Sequence, residues 1–291
     1  MDTRLSFPAD IPALRALWSL AFGDDGAYVD NFFHTYYRPD RVLVLEEEGQ
    51  VRSMTAWFDT VFVVPGRGKF RAAYLYAVAT HPDCRGKGLA ARLLKGADED
   101  FRTLSIPAVT TVPAEPSLHS FFGANGFREC FVHQSQVSQL NAERPGSPVP
   151  PSLSLEALSP ASYGALREEL LEDIPHIFYP EDALTYQAGC CALGGGGLYR
   201  ADTPYGPALL CVEWASQEKA VVKELLAGPQ AAGFVQEDGR LLSLLGASIL
   251  EVRSPVREGS PVPFGMLKWL DSEGAEGWDW SSTGYLGLAF D

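Results

Sequence analysis

Apolar residues along the first half of the chain follow two periods, one helical and one extended. After a short extended stretch at residues 4–7, Asp10 stands where a helix cap belongs, and Leu14, Leu17, Trp18 and Phe22 follow at helical spacing. A second helical pattern covers residues 28–37. Strand-like runs occupy 41–47 and 51–64, joined by the hairpin signal Glu48-Gly49-Gln50, and Pro65-Gly66-Arg67-Gly68 marks another turn. A long apolar strand follows over 70–80. Beyond it the pattern predicts a helix at 88–104, a strand at 108–112, a short helix at 117–125 and a strand at 127–138.

Residues 141–151 hold four prolines with a glycine and a serine, which can continue neither a helix nor a central strand, so the stretch reads as a linker. Past it, helices are predicted at 160–172 and 180–188, strands at 197–200, 207–213 and 220–226, a helix at 241–245 and a strand at 249–253. That order echoes the first half without repeating its sequence. Gly194–Gly197 reads as a flexible loop. The last stretch, 284–291, is strand-like up to Asp291, where a frayed polar tail is the usual ending.

Length and composition narrow the class. At 291 residues the chain suits two domains, and 46% hydrophobic with 21% charged residues suits packed cores. No apolar run reaches the roughly 18 residues of a membrane span. The start lacks the basic-then-apolar pattern of a secretory signal, and the five cysteines lack metal-type spacing, so a cytoplasmic protein with free thiols is expected. The net charge of −14 is uneven, −2 up to Arg144 and −12 beyond it. Phosphate binding wants the opposite sign, which argues against nucleic acid and anionic membrane as partners. An acidic half can instead attract a cationic partner, or simply keep the chain soluble.

The chemistry concentrates in one segment. A buried strand ends at Val78-Ala79-Thr80, Pro82 breaks it, and the basic glycine turn Arg85-Gly86-Lys87-Gly88 opens directly into a helix at Leu89-Ala90. The first N–H groups of a helix have no internal partners and the helix dipole favours negative charge there, so this is an anion site. Gly86 and Gly88 let an anion approach the backbone; Arg85 and Lys87 add charge. The spacing fits neither a Walker loop nor a dinucleotide fingerprint.

The string resembles the acetyl-CoA motif of the GCN5-related N-acetyltransferase (GNAT) superfamily, Arg/Gln-x-x-Gly-x-Gly/Ala, carried here by Arg85, Gly88 and Ala90. A second stretch, Glu115 to Phe127, is similar to the family helix that ends Tyr-x-x-x-Gly-Phe, with Gly126-Phe127 in place but Phe122 at the tyrosine position. The resemblance implies that Arg85, Gly86, Lys87, Gly88, Leu89 and Ala90 bind the CoA pyrophosphate, that Val78, Ala79 and Thr80 pair with the pantetheine, and that Phe122 lies beside the cofactor. It also implies a departure, because the family tyrosine commonly protonates the leaving thiolate and phenylalanine has no proton to give. Tyr74 sits where some relatives place a base glutamate. His119 on the short helix could reach the cleft, with a surface position as the rival reading.

The expected fold is therefore α/β: a GNAT fold with a mixed central sheet over 1–140, the linker at 141–151, and a second, degenerate GNAT-like α/β domain over 152–291, with a sterol-carrier-like domain as the structural alternative there. The expected activity is that of an acyl-CoA-dependent N-acyltransferase, moving the acetyl group of acetyl-CoA, as co-substrate, to a cationic small-molecule or peptide amine by direct attack. The alternative is a catalytically inactive acyl-CoA-binding sensor or scaffold. Glu115 is a carboxylate candidate for base catalysis at the cleft mouth. Asp291 is the other, since two-half relatives such as the enhanced-intracellular-survival acetyltransferases place the chain terminus in the acceptor site; docking of a last strand is the rival reading. No metal site is expected.

Overall fold

A computed structural model describes residues 3–139, 153–257 and 260–290. The predicted linker at 141–151 and Asp291 lie outside these. The described part of the first half contains β1 (Thr3–Leu5), α1 (Ile11–Phe22), α2 (Gly26–Thr35), β2 (Val42–Glu47), β3 (Gln50–Val64), β4 (Gly68–Thr80), α3 (Leu89–Thr103), β5 (Ala108–Thr111), α4 (Pro116–Ala124) and β6 (Arg128–Gln139). The second half contains β7 (Leu155–Ala157), α5 (Pro160–Leu170), β8 (His176–Phe178), α6 (Glu181–Leu193), β9 (Gly197–Thr203), β10 (Gly206–Trp214), β11 (Lys219–Ala227), α7 (Pro229–Gln236), α8 (Arg240–Leu245), β12 (Ile249–Ser254), β13 (Val262–Trp269) and α9 (Ser272–Gly277).

The strands form one path in the order β1-β2-β3-β4-β5-β13-β6-β12-β11-β10-β9-β7, with β8 added on β3. Each half contributes an antiparallel run closed by one parallel pair, β4 with β5 and β11 with β12. In both halves the strand before that parallel step carries a register shift against its antiparallel neighbour, at Met54/Ala56 opposite β4 and at Cys211/Val212 opposite β11. The fold is thus a GNAT fold followed by a degenerate copy of it.

The halves also trade strands. β13, which the sequence pattern did not predict, enters between β5 and β6. β6 pairs with β13 through Arg128–His133 and with β12 through Gln134–Gln139, so one strand serves both sheets. Lys268 on β13 adds an ion pair to Asp98 on α3.

Burial follows from these layers. One face of the first sheet is covered by α3 and α4, whose Leu89, Leu93, Leu94, Phe101 and Phe122 pack with Trp57 and Leu75. The other face meets α1 and α2, and α2 packs on α6 of the second half, joining Trp18, Phe32, Phe58, Tyr186 and Leu209 in a single core. α7 and α8 cover the outer face of the second sheet. All five cysteines are free and buried. Of Gly194–Gly197, expected to be a flexible loop, Gly194 and Gly195 are exposed, whereas a Cβ at Gly196 would come within 2.0 Å of the Val212 carbonyl and Gly197 already opens β9.

Candidate active site

The site begins with an edge that opens. β4 pairs with β3 along its length, but with β5 only from Ala72↔Ala108 to Leu75↔Thr111. From Tyr76 to Thr80 its other edge has no strand beside it among the described residues. Opposite this stretch the β3 register jumps from Ala56↔Tyr76 to Met54↔Ala79, so Ala77 and Val78 together face Thr55 alone. Ala77 takes a left-handed φ of 52°, and the Thr55 hydroxyl donates to the Tyr76 carbonyl at 3.2 Å. A bulge of this kind bends the strand and re-aims its backbone groups. Ser53 fixes the strand end by donating to the Ala79 carbonyl at 2.7 Å.

The basic turn follows within five residues. Arg85 folds back so that its Nε donates to the Thr80 carbonyl at 3.3 Å. Gly86 and Gly88 have φ of 74° and 77°, a conformation that glycine enters freely and other residues do not. A Cβ at either would meet nothing within 4 Å, so the space in front of this backbone is open. No side chain caps α3, and its first intrahelical bond runs from Arg92 N–H to the Gly88 carbonyl at 3.1 Å, which leaves the earlier N–H groups of the helix without internal acceptors. Arg85, Gly86, Lys87 and Gly88 are exposed, Leu89 is buried and Ala90 half-buried. These residues fit an anionic group bound through its oxygens.

Of the other expected site residues, Val78, Leu89 and Phe122 come together in one apolar cluster under the turn, whereas Ala79 faces the opposite core. Phe122 is 4% exposed, with its ring 5.5 Å from that of Phe127. Glu115 is exposed at the cap position of α4, and its carboxylate accepts a hydrogen bond from the Ser117 hydroxyl at 3.4 Å. His119 contacts Glu129 at 2.6 Å, a pairing on the protein surface. Asp291 lies outside the described residues.

The sequence pattern missed what lies on the α1/α2 face of β4. Residues 284–290 are all buried, yet only Gly284 and Tyr285 make strand-like bridges, to Phe131 and His176. The expected last strand is therefore a thread between the halves. The Phe290 ring stacks 4.4 Å from Phe58, with Tyr74, Tyr76, Tyr179 and Tyr186 around it. Upstream, Gly287 has φ 75°, and a Cβ there would lie 2.1 Å from Glu224, which forms a buried ion pair with Arg167 at 3.0 Å. Burial raises the Tyr28, Tyr76 and Tyr186 hydroxyls well above the usual phenol range, so they are neutral donors at every physiological pH. The local signal for this cage was no more than Tyr74-x-Tyr76 on one strand; Tyr28 and Tyr186 join it only through the fold.

Residues 2–127 match the family described as Acetyltransferase (GNAT) domain. Among solved structures, the chain is similar to Eis1 from Mycobacterium abscessus, with TM-score 0.67 and 15% identity over 94% of this chain and 75% of that one. A GCN5-related N-acetyltransferase from Kribbella flavida gives TM-score 0.66 and 18% identity over 94% and 72%. A tandem GNAT protein from the clavulanic acid biosynthesis pathway gives 0.57 and 13% over 93% and 99%. At such identities the likeness is one of fold. Among curated proteins no sequence match was found.

Proposed function

From the GNAT domain matched at residues 2–127 and the fold shared with a tandem GNAT protein, we propose that the chain is a GNAT enzyme that transfers the acetyl group of acetyl-CoA to an amine by direct attack in a ternary complex. One observation carries the reading: an open, bulged strand end leads straight into an uncapped helix start whose two positive-φ glycines face empty space. When bound, acetyl-CoA supplies an acetyl thioester and an anionic pyrophosphate. Arg85–Ala90 hold the anion through backbone N–H groups and two cationic side chains. Val78–Thr80 offer an unpaired strand edge. In this reading the N–H of Val78, which falls outside the β3 register, polarises the thioester carbonyl and stabilises the oxyanion, a role commonly worth about 3–4 kcal/mol per donor.

The attacking ammonium must lose a proton, and Glu115 and Asp291 are the two carboxylates assigned to that task. The lost tyrosine acid at Phe122 is tolerable, because a thiol of ordinary pKa about 8.5 already leaves well as thiolate. The domains of this reading are 1–140 and 152–291, joined by the linker 141–151 and exchanging β13. Within the described residues no helix is long and apolar enough to cross a membrane.

Phe122 itself favours a second reading, a catalytically inactive acyl-CoA-binding sensor or scaffold: its ring is buried and has no group to donate. Calorimetry with acetyl-CoA, followed by CoA release on a panel of polyamines, aminoglycosides, lysine-rich peptides and neutral amines, separates the two. Turnover that is faster for cationic amines and falls with rising salt supports the transferase and its cationic acceptor. Binding without turnover supports the sensor, and absence of binding refutes both.

A further inference from the structure

A buried carbonyl needs a donor, and the thread 286–290 has no strand partner to provide one. Side chains from both halves take over. Arg167 donates to the Leu286 carbonyl at 3.2 Å, Tyr179 to Leu288 at 2.6 Å and Tyr74 to Ala289 at 2.5 Å. The carbonyl of Phe290 is treated differently. It receives two phenols, Tyr28 at 2.6 Å and Tyr76 at 3.0 Å, which lie 3.0 Å from each other. Tyr76 also meets the Tyr186 hydroxyl at 2.8 Å. Each phenol has one proton, so the set is satisfied when Tyr28 and Tyr76 both donate to Phe290 and Tyr186 donates to Tyr76.

The place of this knot is informative. Four non-glycine residues have left-handed φ among those described: Glu48, Ala77, Ser105 and Phe290. Glu48 lies in the β2–β3 turn and Ser105 just after α3, where such geometry is ordinary. The other two, Ala77 at 52° and Phe290 at 54°, are linked through one side chain, since Tyr76 precedes Ala77 in the bulge and its hydroxyl grips Phe290. Strained backbone persists where the surroundings over-determine it, and functional sites are where it gathers. Tail anchoring alone is already provided by Arg167, Tyr179 and Tyr74. The two phenols on Phe290 add a fixed distance between the end of the thread and the backbone that precedes Val78.

We propose that Tyr28 and Tyr76 are positioning residues of the transfer site, holding the main chain at Phe290 against the bulged end of β4 on the α1/α2 face of that strand. The inference rests on the transferase reading above and adds to it two residues that the family motif does not contain. Neither phenol is assigned a proton-transfer step.

The test compares Tyr28→Phe, Tyr76→Phe and the double variant with Tyr179→Phe, which removes a tail hydrogen bond upstream of the knot. Steady-state kinetics with acetyl-CoA and the best amine of the panel are read beside thermal midpoints. The expected result is a loss in kcat of about tenfold to a hundredfold for the double variant with KM for acetyl-CoA within about twofold, because small misplacements at a reacting centre are costly. Tyr179→Phe leaves the buried Leu288 carbonyl without a donor, so it is expected to lower the midpoint measurably while lowering kcat far less than the double variant. If kcat in the double variant falls no more than in Tyr179→Phe, the phenols only stabilise the tail and the positioning role is overturned. A wild-type chain that binds acetyl-CoA but turns over no amine refutes the transferase reading and this role with it; active wild type with indifferent variants refutes this role alone.

Discussion

Gly88→Val isolates the helix start from everything else in the site. In the free chain the added side chain meets no atom, since an ideal Cβ at Gly88 has nothing within 4 Å. Its cost to folding is then conformational, the price of a left-handed residue at φ 77°, about 1–2 kcal/mol. Gly66 provides a matched reference: its φ is 73°, its Cβ also meets nothing, and it lies in the β3–β4 turn outside the cradle. The two valine variants should therefore lose similar stability. They should differ in binding, because only Gly88 borders the free N–H groups of α3. Losing two charge-assisted hydrogen bonds of about 1.5–3 kcal/mol each corresponds to a Kd for acetyl-CoA raised by roughly two to four decades. Titration calorimetry of the wild type and both variants, with thermal midpoints measured on the same samples, reads this directly. Equal acetyl-CoA affinity for Gly88→Val and Gly66→Val would show that the pyrophosphate is not held at this turn.

Two further expectations concern the frame around the site. Glu224→Gln removes the fully buried counter-charge of Arg167 and leaves it only the partly exposed Glu168 at 3.6 Å, which should cost up to about 3–5 kcal/mol and, at roughly 2–4 °C per kcal/mol, lower the thermal midpoint by on the order of 10 °C; a shift below a few degrees would mean that Glu168 compensates the charge and the Arg167–Glu224 pair is not what holds it. The fragment 1–140 lacks β13 and leaves the facing edges of β5 and β6 unpaired, so it should aggregate or unfold without a cooperative transition; a soluble fragment with a sharp calorimetric transition would refute the dependence on the second half.

How far the sequence could be read depended on the range of the interactions. β4 and α3 follow from local pattern, an apolar run and a stripe of Leu89, Leu93, Leu94, Ala97 and Phe101, and both appear where expected. The glycine turn was legible for the same reason, since positive φ and an uncapped helix start are local properties. α6 was expected to end at 188 and runs to Leu193, because Ala188–Leu193 is apolar throughout and offers no polar position to mark a periodicity or a limit. β13 was invisible: Pro263 and Gly265 interrupt its pattern, and its partners on β5 lie some 155 residues away, as with Met266↔Thr111. The tail misled because an apolar run with aromatic ends suits a strand equally well as a buried thread. Only the fold reveals that its carbonyls are met by Tyr28, Tyr74, Tyr76, Tyr179 and Arg167.

These observations give the second half a physical task although it lacks the basic glycine turn. The opening beside β4 exists because β5 stops at Thr111, and β5 is held on its far side by β13, so a strand from residues 262–269 fixes one wall of the cleft. Lys268 on that strand pairs with Asp98 on α3, tying the second half to the helix whose start is the proposed cradle. On the opposite face, Arg167, Tyr179 and Glu224 lock the thread that ends at the Tyr28–Tyr76 knot. Where the first half keeps an empty strand opening, the second half turns the side chain of its corresponding strand, Glu224 on β11, toward Gly287 of the same chain. A half without a basic glycine turn thus supplies geometry, and a change deep in the second half should reach the proposed site through β13 or through the thread, since both end at β4 or its neighbour.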